Sequence, residues 1–140
     1  MPLNNYDPYY QGTKSKIVSA ENGRKHIGLN PNGYTVTHYR VDGVILRDQK
    51  ACDYILMNES KSIAYLIELK GRSVEKAAEQ LKATAEALGQ YLGGYKLQFR
   101  IVCSQSRTHN VISASARKII DAWTKAGQFC RRTNELQENI

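Results

Sequence analysis

The spacing of apolar and polar positions divides the chain into a strand-rich first half and a second half in which helices follow strands. Residues 24–46 alternate apolar and polar positions, are rich in β-branched and aromatic residues, and contain the turn signals NPNG and Asp42-Gly43. Two apolar runs follow, ACDYILM at 51–57 and IAYLIELK at 63–70, separated by five polar residues. Because hairpin loops are this short, we expect the two runs to pair as a β-hairpin.

From Ser73 onward the apolar period changes to that of a helix. Ser73 can cap its first turn, apolar residues recur at helical spacing as far as Leu92, and Gly93-Gly94 ends it. The pattern then predicts a strand at 95–104, a loop at 105–112, a helix at 113–127, a short strand at 128–133 and a frayed tail. A helical crossover from 63–70 to 95–104 makes these two strands parallel. The expected fold class is α/β (α+β), with a mixed central β-sheet and flanking helices.

The first 16 residues are polar, with Asn, Asp, Pro, Gly and tyrosines, and we expect them to form a flexible N-terminal arm. Residues 17–140 then form a single domain. The arm's Tyr6, Tyr9 and Tyr10 are candidates for stacking on bases or packing on a partner subunit, beside the simpler interpretation of an unstructured terminus.

Composition narrows the classes of function. A hydrophobic content of 41% supports a core, and the chain has neither an apolar run of membrane-spanning length nor the order of a signal peptide, so we expect a cytoplasmic protein that does not enter membranes. Three cysteines without a CxxC pair disfavour a disulfide framework or a thiolate zinc site. The three histidines lack metal-ligand spacing. The net charge of +7 favours a polyanionic partner such as nucleic acid.

Charged residues within the hairpin carry the candidate chemistry. Glu68 and Lys70 lie two positions apart at the end of an apolar strand, so they share one face. Asp53 interrupts the partner strand, and a suitable register places it beside Glu68. Two neighbouring carboxylates repel each other unless a cation lies between them, and Mg²⁺, a hard ion with oxygen ligands, is the natural candidate. The Leu69 carbonyl is a possible third ligand. Such a site suits phosphodiester hydrolysis, with Lys70 orienting or deprotonating the attacking water or stabilising the transition state.

The arrangement of Asp53 and Glu68-Leu69-Lys70 on consecutive strands, followed by a helix, resembles the PD-(D/E)XK (restriction-endonuclease-like) nuclease superfamily. The resemblance covers about residues 41–104 and is closest to small stand-alone members such as Holliday-junction resolvases. It implies a restriction-endonuclease-like core and a DNA endonuclease or exonuclease that uses Mg²⁺ or Mn²⁺. It also implies metal ligation by Asp53 and Glu68, and Lys70 as the catalytic lysine. The family's usual proline before the aspartate is Cys52 here.

Three further residues are weaker site candidates. The family tends to supply a glutamate from a helix before the sheet, and Glu21 is the acidic residue in that region, although its own surroundings are strand-like. Asp42 ends a strand, where forming a turn before glycine is the competing interpretation. Gln80 resembles a glutamine that some members carry on the helix after the lysine, and a solvated helix surface is the alternative for it.

Basic side chains around the acidic site would attract the phosphate backbone without reading the base sequence. The candidates are Arg72, Lys76, Arg100, Arg107, and the pairs Arg117-Lys118 and Arg131-Arg132. DNA, in branched form in particular, is favoured over RNA as the substrate, and a homodimer is expected by analogy with small nucleases that act on two strands.

Two other hypotheses remain open at this stage. One is a catalytically inactive protein of the same fold that binds nucleic acid or another protein, for instance in a phage or defence setting. The other is a generic α/β module in which Glu68 and Lys70 form a surface salt bridge of little energetic value.

Overall fold

The computed structural model of the chain describes residue 3 and residues 6–69, 73–104 and 112–140. Within these residues the chain forms an α+β fold of nine strands and three helices. The strands are β1 (Tyr10–Gly12), β2 (Lys16–Glu21), β3 (Arg24–Leu29), β4 (Val36–Arg40), β5 (Tyr54–Asn58), β6 (Ile63–Glu68), β7 (Lys96–Cys103), β8 (Phe129–Thr133) and β9 (Glu135–Asn139). The helices are α1 (Val74–Ala87), α2 (Gly89–Leu92) and α3 (Ala114–Lys125).

Six strands form a mixed sheet in the order β1-β4-β5-β6-β7-β8. The strands β4, β5 and β6 make an antiparallel meander, and the predicted hairpin of β5 and β6 is confirmed. The crossover through α1 makes β7 parallel to β6, also as predicted, and α3 makes β8 parallel to β7 in the same way. Since β6, β7 and β8 are parallel, their carboxyl ends lie at one end of the sheet, together with the start of β5.

A second sheet of three strands, in the order β2-β3-β9, was not foreseen. The tail that we expected to fray instead forms β9, which pairs in parallel with β3 and buries Leu136 and Ile140. Within the predicted flexible arm at 1–16, two described parts are ordered, because Tyr10–Gly12 pairs with β4 and Leu3 is buried in the core. Apolar burial and sheet pairing at these points outweigh the polar composition of the neighbouring residues.

The larger sheet separates two hydrophobic cores. On one face it packs against α1 and α3, where the Trp123 ring stacks on Phe99 with ring centroids 3.9 Å apart. On the other face it packs against the three-stranded sheet through Tyr54, Leu56 and Ile67. Helix α1 begins as expected, because the Ser73 hydroxyl accepts a hydrogen bond from the Lys76 amide at 3.1 Å. None of the helices in the described ranges is long and apolar enough to cross a membrane.

The two sheets approach closely and are joined by a very short connection. A Cβ atom at position 28 would lie only 2.8 Å from Leu56 Cδ2 and 3.2 Å from Ile140 Cγ2. The two sheets therefore pack this closely because Gly28 has no side chain. Asn134 alone separates β8 from β9 and has a left-handed backbone, with φ of 66°. Its amide donates to the Cys103 carbonyl, and its carbonyl accepts from the Lys25 amide, so this one residue bonds to both sheets.

Candidate metal centre

Asp53 lies at the start of β5 and is bonded to β6 through both main chain and side chain. Its amide donates to the Ile67 carbonyl at 3.1 Å, and its Oδ2 accepts from the Leu69 amide at 2.8 Å. Its own carbonyl accepts from the Val41 amide at 3.0 Å, on the side of β4. The Asp53 carboxylate is therefore held against the end of β6.

Glu68 is the last residue of β6, and its side chain is fully buried. The ladder of β5 and β6 ends at the pair Tyr54–Ile67, so Asp53 lies just before that pair and Glu68 just after it. The Asp53 amide donates to the Ile67 carbonyl and its Oδ2 accepts from the Leu69 amide, so Asp53 is bonded to both chain neighbours of Glu68. Glu68 follows the alternation of Ala64 and Leu66, which face the helices. The two acidic residues therefore lie at one end of the hairpin, and a shared metal site there stays a prediction.

Cys52 lies beside these two carboxylates. Its amide donates to Thr84 Oγ1 of helix α1 at 2.8 Å, which fixes the start of β5 against that helix. Burial raises the pKa of the Cys52 thiol well above its ordinary value, and the negative charges of Glu68 and Asp53 raise it further. Both carboxylates thus lie within electrostatic reach of one buried thiol, which stays protonated at neutral pH.

The Leu69 carbonyl, a possible metal ligand, already has a hydrogen-bond partner. It accepts from Arg24 Nε at 2.6 Å, and Arg24 reaches it from the three-stranded sheet. A carbonyl oxygen has two lone pairs, so one acceptor position remains. Arg24 was not singled out from the sequence, because no local pattern reveals a contact across 45 positions.

The other predicted site residues differ in burial and in their position in the fold. Gln80 lies one helical turn before Thr84, and its Oε1 is buried and has no hydrogen-bond partner among the described residues. Asp42 has an exposed side chain, while its amide donates to the Cys52 carbonyl at 3.1 Å. Glu21 is exposed at the end of β2, on a strand, and so does not take the helical position that the resemblance implies. Lys70, Arg72 and Arg107 lie outside the described residues.

The predicted basic contacts separate into exposed and buried groups. Lys76, Arg117, Lys118, Arg131 and Arg132 have exposed side chains on α1, α3 and β8. Arg100, in contrast, is only 8% exposed, and the expectation that it contacts nucleic acid is wrong. All five of its N–H groups donate to acceptors within the protein, namely to Glu138 Oε1 and Oε2, to Gln98 Oε1 and to the carbonyls of Phe99 and Gln128.

Arg100 belongs to a buried ion cluster, formed with His26 and Glu138 between the two sheets. Glu138 Oε2 lies 2.7 Å from Arg100 Nε and 2.8 Å from His26 Nε2. Burial by itself raises the pKa of Glu138, but hydrogen bonds from His26 and Arg100 outweigh it and hold this pKa below its ordinary value. The cluster joins β3, β7 and β9 and is a structural element.

The described residues contain no group of three or more His, Cys, Asp or Glu side chains placed to hold a metal ion. A metal at the Asp53–Glu68 pair would depend on two carboxylates, the second lone pair of the Leu69 carbonyl and water. That oxygen-rich set suits Mg²⁺, which keeps several waters and uses few protein carboxylates.

Comparison of the chain with models of protein families, with curated proteins and with solved structures finds no match.

Proposed function

We propose that the chain is a metal-dependent nuclease that hydrolyses phosphodiester bonds of DNA, with Mg²⁺ or Mn²⁺ held by Asp53 and Glu68. The observation that supports this proposal is at the end of the β5–β6 hairpin, where Asp53 is bonded to Ile67 and Leu69, the two chain neighbours of the buried Glu68. A hairpin without a binding role gains nothing from two acids at one end, one of them fully buried, because burying a charge costs several kcal/mol.

The order of elements supports the proposal. An antiparallel meander of β4, β5 and β6, then helix α1, then β7 parallel to β6, is the arrangement expected of a restriction-endonuclease-like core. We therefore propose that the chain has a restriction-endonuclease-like core. The α1 amino terminus follows β6 closely, so the exposed Lys76 in its first turn lies on the same side of the sheet as the acidic pair.

The protein groups around the pair favour a hard cation. Asp53 Oδ2 is oriented by the Leu69 amide, and a carboxylate is a hard oxygen ligand. The donors proposed for the cation are the two carboxylates and the Leu69 carbonyl, all of them oxygens, which suit a hard ion. A bound Mg²⁺ would lower the pKa of a coordinated water and neutralise charge on the phosphate. Lys70 is proposed to orient the attacking water or to stabilise the charged transition state.

Gln80 is a candidate for holding the water that attacks the phosphate. Its buried Oε1 has no hydrogen-bond partner among the described residues, and a buried acceptor left without a donor costs about 1–3 kcal/mol. A water bound at the Asp53–Glu68 pair would supply that donor. Helix α1 thus both closes the site through Thr84 and contributes an acceptor to it.

The substrate is proposed to be DNA, including branched forms. Exposed Lys76, Arg117 and Lys118 on the helical face provide sequence-independent attraction to phosphates. Arg72 and Arg107 are proposed to contribute as well. A homodimer would bring two sites to two strands, and light scattering at several protein concentrations measures its presence.

A second candidate function is a catalytically inactive protein that binds nucleic acid or another protein through the same fold. The observation that favours it is the 2.6 Å hydrogen bond from Arg24 to the Leu69 carbonyl, which places a guanidinium beside an oxygen expected to face the metal. Under this alternative, Arg24 takes the place of the cation, and neither Mg²⁺ nor Mn²⁺ binds.

The test combines metal binding with cleavage. Calorimetric titration of the purified chain with Mg²⁺ and Mn²⁺ is compared with a cleavage panel of branched, linear, nicked and single-stranded DNA. We expect Asp53→Asn, Glu68→Gln and Lys70→Ala to lower the cleavage rate by about 100-fold or more, since each removes a group that acts on the transition state. Asp53→Asn and Glu68→Gln should also abolish metal binding.

Matched controls are available on the surface. Asp121→Asn on α3 and Glu135→Gln on β9 each remove an exposed carboxylate of the same kind, and both should leave cleavage and metal binding unchanged. A folded wild-type chain that binds neither metal, and cleaves none of these substrates, rejects the nuclease and leaves the binding protein.

A further inference from the structure

Two pairs, each consisting of a tyrosine and a cation, lie along β1 and β4 on the face of the larger sheet that carries the smaller one. Arg40 Cζ lies 4.6 Å from the centroid of the Tyr9 ring, and Lys14 Nζ lies 4.1 Å from that of Tyr10. Tyr9 is 55% exposed, and both cations are exposed. We call these four residues the stacking strip.

The strip is held in place by the sheet beneath it. The Tyr9 amide donates to the His38 carbonyl at 2.7 Å, and Tyr10 pairs with His38. The Tyr9 ring packs edge-on against His38 and Tyr54, with centroids 5.4 Å and 6.1 Å away. An aromatic side chain that is already ordered loses little entropy when a ligand binds it.

The strip ends near Asp53 at the end of the larger sheet, and Glu68 lies at the same end on the opposite face, toward the helices. Arg40 is the last residue of β4 and pairs with Tyr54, whose preceding residue is Asp53. Beyond it, at the end of β6, Arg24 bonds to the Leu69 carbonyl. Glu21 and Asp53 act electrostatically on Tyr54, as Arg40 does, so acids and bases both lie in this region. The net charge of +7 on the whole chain favours a polyanionic partner.

We propose that the stacking strip binds unpaired nucleotides of a single-stranded nucleic acid whose backbone continues toward Asp53 and Glu68. Its orientation toward those residues rests on the proposed nuclease function, whereas the binding itself does not. Aromatic rings and guanidinium groups bind single strands by stacking on bases, and a base within a duplex does not present its face. The strip thus selects a substrate with a single-stranded segment beside the bond to be cut.

Binding can be measured without cleavage by using the wild-type chain in EDTA. The probe is a fluorescein-labelled 15-nucleotide oligo-dT, followed by fluorescence anisotropy, with a blunt duplex of equal length and an oligo-U strand as the other arms. We expect the chain to bind the single strands more tightly than the duplex. Tyr9→Ala and Arg40→Ala should each weaken single-strand binding about 5- to 100-fold. Tyr9→Phe should retain it, because the ring remains.

A second tyrosine–cation pair offers a matched control for Tyr9 and Arg40. Lys61 Nζ lies 5.6 Å from the Tyr34 ring centroid, and Asn30 bonds to the carbonyls of both Tyr34 and Lys14, so this pair lies at the Lys14 end of the strip, away from Arg40. Tyr34→Ala and Lys61→Ala remove it. Neither should change binding, and thermal unfolding shows whether each variant is folded. Equal losses for the two pairs, no loss with folded Tyr9→Ala and Arg40→Ala, or tighter binding of the duplex, each overturn the proposal.

The outcome for the strip is separable from the outcome for the metal site. If the chain binds oligo-dT through Tyr9 but cleaves nothing in Mg²⁺ or Mn²⁺, the stacking strip is supported and the nuclease function is rejected. If the chain cleaves DNA and binding is unchanged in Tyr9→Ala and Arg40→Ala, the nuclease function is supported and the stacking strip is rejected.

Discussion

Two glutamates, Glu138 and Glu68, carry buried or partly buried charge in differently built regions. Glu138 lies between the sheets, where Arg100 and His26 contribute three hydrogen bonds to its two oxygens. Glu68 lies where β6 ends, on the face toward α1, and is fully buried. The first carboxylate is held by Arg100 and His26, which come from two other strands. The second lies at the end of the larger sheet, near Asp53.

This difference teaches how the position of a charge relates to its role. A buried charge with fixed hydrogen-bond partners stabilises one conformation of the chain. The same partners hinder the binding of water or an added ligand to it. An acidic pair at a hairpin end takes its geometry from the sheet beside it. We therefore assign a structural role to the Arg100 cluster, and the chemical role of the Asp53–Glu68 pair remains our proposal.

The largest expected effect tests the structural role of the Arg100 cluster. Arg100→Ala leaves Glu138 and His26 between the sheets without the guanidinium, and breaking a buried ion pair in this way costs about 3–5 kcal/mol. Urea unfolding measures the loss of free energy of unfolding. Arg131→Ala, an exposed arginine on the edge strand β8, serves as the control, with a change within about 0.5 kcal/mol. Similar changes for the two variants would show that the cluster is not the structural element described here.

The next effect comes from a buried neutral histidine between the sheets. His38 Nε2 lies 2.8 Å from Ser19 Oγ, and burial, followed by nearby positive charges, lowers the pKa of His38 to about 4. The unfolded chain binds this proton near pH 6.5, so the stabilisation is present above that pH and is lost as the pH falls toward 4. We expect about 2 kcal/mol less stability at pH 5 than at pH 7 from this residue.

The measurement is urea unfolding at both pH values, with His38→Gln as the reference. Glutamine can still bond to Ser19 but does not titrate, so the decrease from pH 7 to pH 5 should be about 2 kcal/mol smaller in that variant. An identical decrease in both proteins contradicts the assignment.

A third effect tests metal binding at the Asp53–Glu68 pair without relying on activity. If Mg²⁺ binds to the acidic pair, a concentration ten times its dissociation constant raises the free energy of unfolding by about 1.4 kcal/mol. Glu68→Gln should lose this increase, while Arg131→Ala should keep it. Thermal unfolding with and without Mg²⁺ provides the data, and an equal increase in Glu68→Gln would locate the metal elsewhere.

The smallest expected effect defines the baseline for both regions. Lys50 and Glu79 form an exposed ion pair with 3.3 Å between Nζ and Oε1. Since surface pairs contribute about 0–1 kcal/mol, Lys50→Ala should change the free energy of unfolding by less than about 0.5 kcal/mol. A loss comparable to that of Arg100→Ala would remove the contrast between buried and exposed charge.

Local patterns were sufficient to predict the elements that carry the candidate site. The five polar residues at 58–62 predicted the hairpin, and Ser73 predicted the start of α1, because each signal acts over a few residues. The position of Asp53 and Glu68 at one end of the hairpin then followed from a short loop and a regular ladder, which runs from Asn58–Ile63 to Tyr54–Ile67.

Contacts between distant segments were not predictable in the same way. The pairing of β3 with β9 joins residues near opposite ends of the chain, and nothing local in ELQEN identifies its partner. The burial of Arg100 did have a signal, because it lies inside the apolar strand predicted at 95–104, where a buried arginine needs an acidic partner. Its partner Glu138 was in the segment we expected to fray, so the pair could not be assigned.

Asn134 has a mechanical consequence for the layers it connects. A single residue leaves no spare length between β8 and β9, and its amide and carbonyl are bonded to different sheets. Sliding one layer over the other would break both bonds at once, so we expect the two sheets to shift only as one body. The guanidinium of Arg24, which belongs to the smaller sheet, therefore keeps its position relative to the Leu69 carbonyl at the end of β6.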